Sequence, residues 1–354
     1  MRKIMTMLLV LTFCVSCTSC SKDEGIGGTG RAGKKLPGTL YWFFAGKAGY
    51  YNLESGKVEK EWMSMGTASS FFDAFDISWD NRKILLTMDV EGSFNFDERR
   101  FVLRENKGKI TYKGLNDGQN LRDFNYEWGD IKTTYGHLSP DEKYVAVEAQ
   151  HFSDLPLTIL DMQTGDAISS WMVEGISFLR YGKPVWTADN TLYFRIGNKL
   201  YKCSPSNGYR SAPKVLDLGQ GDSYVTVNPE GTKLVFRRNR HLWMCDIDGS
   251  NLKQITTSRT SKVIEWDGEH RPTFSPDGKY IAFTGDSSSG TAWSDHDYPD
   301  GSWVSATGGK FGYIAIIPAD GKLYDLDDKK SGAIWLKNPT GAGGIACSDM
   351  LIWR

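Results

Sequence analysis

The sequence predicts an all-β fold, a six-bladed β-propeller built from four-stranded blades. The first observation is a repeated phrase, a Ser-Pro-Asp-Gly turn followed by a strand of aromatic and aliphatic residues, which is cleanest from Phe274 to Phe283. The second is its spacing. The acidic residues of five copies lie 61, 48, 41 and 47 positions apart, at Asp80, Asp141, Asp189, Glu230 and Asp277. Because a four-stranded blade takes roughly 40 to 50 residues, each copy marks one blade.

Residues 1–19 are predicted to be a lipoprotein signal peptide. Arg2 and Lys3 precede an apolar run that is too short for a permanent membrane helix. The segment that follows resembles the cleavage and acylation site of bacterial lipoproteins, with Cys20 as the lipidated residue and Cys17 as the alternative. The resemblance implies a location in the cell envelope, with the protein anchored to the outer membrane by its acyl chains. The run Lys22 to Glu24 is similar to the export tag of surface lipoproteins, and the cell surface and the periplasmic side remain alternatives.

Residues 20–35 are predicted to form a flexible tether, and the propeller is expected over residues 36–354. Glycine and basic residues dominate the tether, a composition that buries little apolar surface. The whole chain has 42 Lys and Arg against 43 Asp and Glu, so no nucleic-acid partner is expected. Cys203 and Cys245 occupy matching positions of neighbouring repeats and are predicted to be buried free thiols on separate blades.

Each unit is expected to contain strand a, the Ser-Pro-Asp-Gly turn, strand b, a variable loop, strand c, a second turn and strand d. The Asp248-Gly249 pair between two strand-like runs is a hairpin signal, because both residue types tolerate a positive φ. The first unit lacks strand a, and the chain ends in a lone strand near Trp353. Pairing these two would close the ring and cover two sheet edges. The segment Gly332 to Pro339 fits this scheme poorly and leaves a seventh partial blade as an alternative.

The phrases Phe274 to Phe283 and Asp246 to Thr256 resemble the repeats of TolB-like propellers, the PD40 or WD40-like group. The resemblance covers most of residues 36–354 and implies the fold. That family includes binding scaffolds, translocation partners, regulatory domains of peptidases and lyases of acidic sugars. The resemblance therefore leaves the function open.

A ligand site is expected on the face where the loops from strand d to strand a and from strand b to strand c emerge. The residues expected to bind ligand there are Trp128, Tyr135, His137, His151, Glu269, His270, Arg271, Trp293, His296 and Trp303. The insertion over residues 285–309 is the main candidate for specificity, because long loops are usually either functional or disordered. Its tryptophans suit stacking on sugar rings. Asp295, Asp297 and Asp300 are candidate ligands for a divalent cation such as calcium, and a purely structural loop is the alternative.

These residues favour binding over catalysis, with a glycan or an envelope protein as the ligand and the lipid anchor as the only membrane contact. The alternative is a lyase or hydrolase acting on acidic oligosaccharides, with His270, His137 and Arg271 as catalytic groups. A third interpretation is a structural scaffold of an envelope complex. The sequence contains no Gly-x-Ser-x-Gly elbow and no His-Glu-x-x-His motif, so a serine hydrolase of that type and a zincin are not predicted.

Overall fold

The fold is built from short antiparallel strands. The computed structural model describes residues 35–44, 46–64, 72–90, 98–111, 115–127, 131–151, 154–174, 183–219, 221–258, 268–285, 296–297, 303–304, 312–328, 330–337, 344–347 and 350–354. Within these ranges no helix has the length and apolar character needed to cross a bilayer. The signal peptide, Cys17, Cys20 and nearly all of the tether lie outside them.

The strands follow one another in chain order, with a short 3₁₀ helix at Pro205–Asn207 between the fourteenth and fifteenth. The first fifteen are β1 (Thr39–Phe44), β2 (Lys47–Asn52), β3 (Val58–Ser64), β4 (Phe72–Ile77), β5 (Lys83–Asp89), β6 (Glu98–Glu105), β7 (Arg122–Glu127), β8 (Ile131–Leu138), β9 (Tyr144–His151), β10 (Asp154–Asp161), β11 (Ala167–Glu174), β12 (Val185–Trp186), β13 (Leu192–Ile196), β14 (Lys199–Cys203) and β15 (Lys214–Asp217). The others are β16 (Ser223–Val227), β17 (Lys233–Arg238), β18 (His241–Asp246), β19 (Lys253–Gln254), β20 (Thr256–Thr257), β21 (His270–Phe274), β22 (Tyr280–Gly285), β23 (His296–Asp297), β24 (Trp303–Val304), β25 (Gly312–Pro318), β26 (Tyr324–Asp325), β27 (Ile334–Trp335), β28 (Ala346–Cys347) and β29 (Leu351–Trp353).

These strands form six blades, which confirms the predicted propeller. Blades 2 to 5 are consecutive four-stranded sheets, β4 to β7, β8 to β11, β12 to β15 and β16 to β19. Blade 6 has the order β21-β22-β25-β27, with β28 added alongside β25. The segment that fitted the repeat poorly therefore supplies β27, the outer strand of blade 6, and the described residues contain no seventh blade.

Blade 1 is completed by the last strand, as predicted. β29 pairs with β1 in antiparallel register, Leu40 opposite Trp353 and Trp42 opposite Leu351. The indole Nε1 of Trp353 donates a hydrogen bond to the carbonyl of Pro37 at 2.7 Å. The first and last strands of the domain thus share one sheet, and β29 covers the inner edge of β1.

The turn between strands a and b repeats in five blades with the same backbone hydrogen bond, from the amide of its first residue to the carbonyl of a residue at or just before the start of strand b. In blade 6 the amide of Ser275 donates to the carbonyl of Tyr280, and the Ser275 hydroxyl donates to Asp277 and accepts from the amide of Tyr280. The residue after the acidic one takes a positive φ in every copy, and glycine fits this best. The left-handed residues are Asn81, Glu142, Asn190, Gly231 and Gly278. The turn phrase is therefore a conformational requirement of the blade.

The core is divided among the blade interfaces. Six clusters of buried apolar side chains each join two neighbouring blades, the last between blades 6 and 1. Cys203 and Cys245 are buried free thiols on β14 and β18, which confirms that prediction, and Cys347 is buried and free as well. Burial raises the pKa of Cys203 to about 12 and that of Cys245 to about 11, so both remain thiols at neutral pH.

Candidate functional site

The six inner strands surround a cavity of about 160 Å³ on the propeller axis. Five of the strands contribute the residues two and four positions before the residue that begins the following turn, and β29 contributes those two and four positions before Arg354, because side chains alternate along a strand. The residues two positions before form a lower ring of Asp76, His137, Val185, Thr226, Thr273 and Ile352. The residues four positions before form an upper ring of Ala74, Tyr135, Lys183, Tyr224, Arg271 and Met350. All twelve line the cavity.

A buried histidine and glutamate from blade 3 face this cavity together. His137 on β8 and Glu148 on β9 have side chains that are 13% and 4% exposed, with Nε2 and Oε1 3.5 Å apart. That separation is longer than a hydrogen bond, and neither atom has another hydrogen-bond partner among the described residues. Burial lowers the pKa of His137 well below its usual value and raises the pKa of Glu148 well above its own. Both side chains are therefore driven towards their neutral forms.

Asp76 of blade 2 is held in a different way. Its carboxylate accepts hydrogen bonds at 2.8 Å from the backbone amides of Ile77 and Leu138, and Nη2 of Arg354 lies 3.4 Å from Oδ1. Arg354 also donates to the carbonyl of Ile77 and stacks over the ring of Trp79. Burial raises the pKa of Asp76, while Arg354 and the two amides oppose that rise. This acid and this cation already satisfy each other.

Two other cations that line the cavity, Lys183 and Arg271, have no hydrogen-bonded or ion-paired anion among the described residues. Among the described residues, Lys183 makes no hydrogen bond or ion pair, and Arg271 makes only a cation–π contact, with its guanidinium carbon 5.5 Å from the centroid of Tyr224. Both side chains are half-buried on the cavity wall. Tyr224 and Arg271 share a left-handed backbone, each with φ of 52°.

Three of the ligand-binding residues expected from the sequence come together here, Tyr135, His137 and Arg271. Tyr135 and His137 lie within inner strand β8, not in the loop before it. His270 opens β21 and packs edge-on against Tyr224 at 5.4 Å, and it is not part of the cavity lining.

Glu269, which was also predicted to bind ligand, lies in a buried hydrogen-bond network. Its side chain is wholly buried and accepts hydrogen bonds from His241 at 2.9 Å, Thr256 at 2.7 Å and Ser258 at 2.6 Å. It lies outside the cavity lining and joins blade 6 to blade 5.

The remaining candidates lie outside what the structure describes. Trp128, Trp293, Asp295 and Asp300 are beyond the described residues, and only the backbone is described for His151, His296, Asp297 and Trp303. In the described part of the insertion, β23 and β24 pair as a two-stranded sheet. The described part of the chain contains no group of three or more His, Cys, Asp or Glu side chains arranged to hold a metal ion.

The sequence reasoning missed Asp76, Glu148, Lys183, Tyr224 and Arg354. Asp76, Lys183 and Tyr224 were detectable, because they occupy the ring positions two or four residues before a recognised turn. Glu148 was not detectable in this way, since it lies on a b strand and reaches the axis beside Tyr135, its directly opposed partner. Arg354 reaches the cavity only because the ring closes.

The proteins to which the chain is similar include several TolB proteins. The chain is 44% identical over 58 residues to a protein TolB homolog of Chlorobaculum tepidum, a match that covers 15% of this chain and 12% of that protein. The crystal structure of TolB from Acinetobacter baumannii superposes with a TM-score of 0.52 at 13% identity, covering 91% of this chain and 68% of that one. A putative TolB from Agrobacterium tumefaciens gives 0.47 at 15% identity, covering 80% and 86%. No family model matches the chain.

These likenesses agree with the strand topology, and the chain has a TolB-like six-bladed propeller fold. The curated relative matches this chain over only about an eighth of its own length. What that relative binds is therefore not transferred to this chain by the match.

Proposed function

We propose that the protein is a lipid-anchored binding protein of the cell envelope that takes a segment of a partner protein into its central cavity. The observation that carries the proposal is the cavity itself, where polar side chains from several blades converge on one space. Buried polar atoms normally have partners, so the unpartnered His137 Nε2 and Glu148 Oε1 favour a site that a ligand completes. The protein TolB homolog matched over part of the chain supports the envelope location.

The size of the cavity favours a single inserted group over a whole oligosaccharide. About 160 Å³ is close to the roughly 150 Å³ of an engineered cavity that binds benzene. One side chain of a partner protein fits such a space, and so does one ring of a sugar. A glycan is therefore the second candidate ligand, with the tryptophans of the 285–309 insertion as its stacking surface.

The proposal is tested by site-specific photo-crosslinking in cells. A photoreactive phenylalanine analogue at Tyr135 should give a discrete adduct with an envelope protein, and the same analogue at the exposed Leu323 should not. Adding Thr226→Trp, which fills the cavity, should abolish the Tyr135 adduct. Identical adducts from both positions, or an adduct that survives Thr226→Trp, would contradict binding in the cavity. Glycan-array binding that Thr226→Trp removes, without a protein adduct, would favour the glycan.

The lyase or hydrolase alternative has one observation in its favour, since His137 and Arg271 both line the cavity. In a β-elimination a base removes the proton next to a uronate carboxylate, and a cation stabilises the charge that develops. His137→Gln should then abolish the appearance of unsaturated product from an acidic polysaccharide. A wild-type protein that forms no such product, with or without added divalent metal, removes this alternative.

A further inference from the structure

We propose that the cavity binds a carboxylate group between the Lys183 ammonium and the Arg271 guanidinium. The inference rests on the proposed function and deepens it, because the carboxylate is that of an acidic side chain in the bound partner segment. Both cations belong to the upper ring, on blades 4 and 6, with Tyr224 of blade 5 between them.

The first argument is the pairing of two other partly buried arginines. Arg238 forms two hydrogen bonds to the buried Asp222, at 2.7 and 2.8 Å, and Arg354 contacts the buried Asp76. A cation withdrawn from water normally has such an anionic partner. Across the described residues neither Lys183 nor Arg271 forms a hydrogen bond or ion pair with an anion, and Lys183 has only a longer-range electrostatic interaction with Asp76 and Glu148, although both cations lie on the wall of a cavity. An incoming anion would supply the missing partner.

The second argument is that the acids of the cavity are engaged elsewhere. Asp76 is occupied by two backbone amides and Arg354. Glu148 faces His137, and its burial raises its pKa well above the usual value, which favours the uncharged acid. With Asp76 paired to Arg354 and the acid form of Glu148 favoured, Lys183 and Arg271 leave the cavity with a positive excess. A carboxylate is thus favoured over a neutral or cationic group.

The third argument is backbone conformation. Tyr224 and Arg271 occupy equivalent positions of neighbouring inner strands, and both have φ of 52° where a side chain is disfavoured. The pairing of each strand also shifts register at this point, between Ser223 and Thr226 and between His270 and Thr273. Such irregularities redirect side chains and concentrate at functional sites. Here they place the Arg271 guanidinium over Tyr224 and towards the axis.

The test compares an acid with its amide. The probes are N-acetyl-glutamate N-methylamide and N-acetyl-glutamine N-methylamide, titrated into the mature protein and followed by NMR. The acid should bind at least about tenfold more tightly than the amide, since hydrogen bonds to charged groups contribute more than neutral ones. Lys183→Met and Arg271→Gln should each weaken acid binding about tenfold and leave amide binding unchanged. The exposed Lys199→Met and Arg122→Gln are matched controls and should change neither.

Charge-conserving variants distinguish the loss of a positive charge from misfolding of the protein. Lys183→Arg and Arg271→Lys should keep acid binding within about threefold of the wild type. Equal binding of acid and amide to the wild type, or no binding of either, overturns the carboxylate inference. If the crosslink from Tyr135 still forms and is still blocked by Thr226→Trp, the proposed function survives that failure. Preference for galacturonate over galactose without a preference for the acidic peptide probe would instead identify an acidic sugar and overturn the partner-protein assignment.

Discussion

Glu148 and His137 show how one buried space sets opposite protonation preferences in neighbouring residues. Both are deeply buried, and in both cases burial disfavours the charged form. The glutamate therefore binds its proton more tightly than usual, and the histidine binds its proton less tightly. A ligand that reaches these two side chains meets two polar groups that carry little net charge and are free to form hydrogen bonds with it.

The pH dependence of stability should report the state of Glu148. A carboxyl group whose pKa is raised on folding contributes stability below its unfolded value of about 4.5 and loses it as the pH rises through the folded value. Glu148→Gln cannot ionise, so its thermal midpoint should exceed that of the wild type at pH 8, and the difference should shrink towards pH 4. Thermal unfolding across this range checks it, with the exposed Glu59→Gln as control. Parallel profiles for Glu148→Gln and wild type would contradict the buried-acid assignment.

Glu269 is a second buried acid, and we expect its role to be structural. Its carboxylate collects hydrogen bonds from His241, Thr256 and Ser258 in a fully buried position. Glu269→Ala should lower the free energy of unfolding by about 3 kcal/mol, because it leaves buried donors without an acceptor. Denaturant unfolding measures this, and Glu127→Ala on an exposed position of β7 should change it by less than about 0.5 kcal/mol. A loss below about 1 kcal/mol would show that Glu269 is not a structural anchor.

At the scale of the element, the strand a to b turn of blade 6 is stabilised through one hydroxyl. The Ser275 oxygen donates to Asp277 at 2.6 Å and accepts from the amide of Tyr280 at 2.9 Å. Burial alone would raise the pKa of Asp277, but the Ser275 hydroxyl and the Lys279 amide lower it below its usual value. The stability that this carboxylate contributes is present above its unfolded pKa and is lost as the pH falls through the folded one.

Ser275→Ala should therefore lower the free energy of unfolding by about 1 to 2 kcal/mol at pH 7, since it leaves a buried amide without its acceptor. The difference from the wild type should shrink below about pH 4, where Asp277 protonates in the unfolded chain. Urea unfolding at pH 7 and pH 3 makes the comparison, with the exposed Ser206→Ala as control. A deficit that is equal at both pH values would mean that Asp277 takes no part.

Elements were predictable from the sequence where local chemistry decides the conformation. The turns were predictable because Ser275, Asp277 and Gly278 each satisfy a specific hydrogen bond or φ within a few residues. The cavity was only partly predictable. The direction of a side chain on an inner strand follows from its distance to the turn, but the register shifts before Thr226 and Thr273 have no clear local signature. The surroundings of Glu269 depend on donors in another blade, which local patterns do not reveal.

For the whole molecule, the ring holds the site together. The cavity takes side chains from all six inner strands, and β29 is the inner strand of blade 1. Arg354 extends this closure to blade 2 by donating to the carbonyl of Ile77 and contacting Asp76. Trp353 packs against Tyr280 of blade 6, with ring centroids 6.5 Å apart. The last strand thus links blades 6, 1 and 2.

Removal of residues 351–354 should open the ring and, at the same time, abolish ligand binding in the cavity. The deletion exposes the inner edge of β1, takes away the buried Trp353 and leaves Asp76 without its cation. Loss of a buried tryptophan alone lowers stability by about 3 to 5 kcal/mol, so the thermal midpoint should fall sharply and blade 1 should become sensitive to protease.

Arg354→Gln is the matched control. It keeps the backbone pairing of Arg354 with Thr39 and should lower the midpoint by only a few degrees. If the truncated protein melts at the wild-type temperature and still gives the crosslink from Tyr135, the last strand does not hold the ring closed, and the cavity does not depend on that closure.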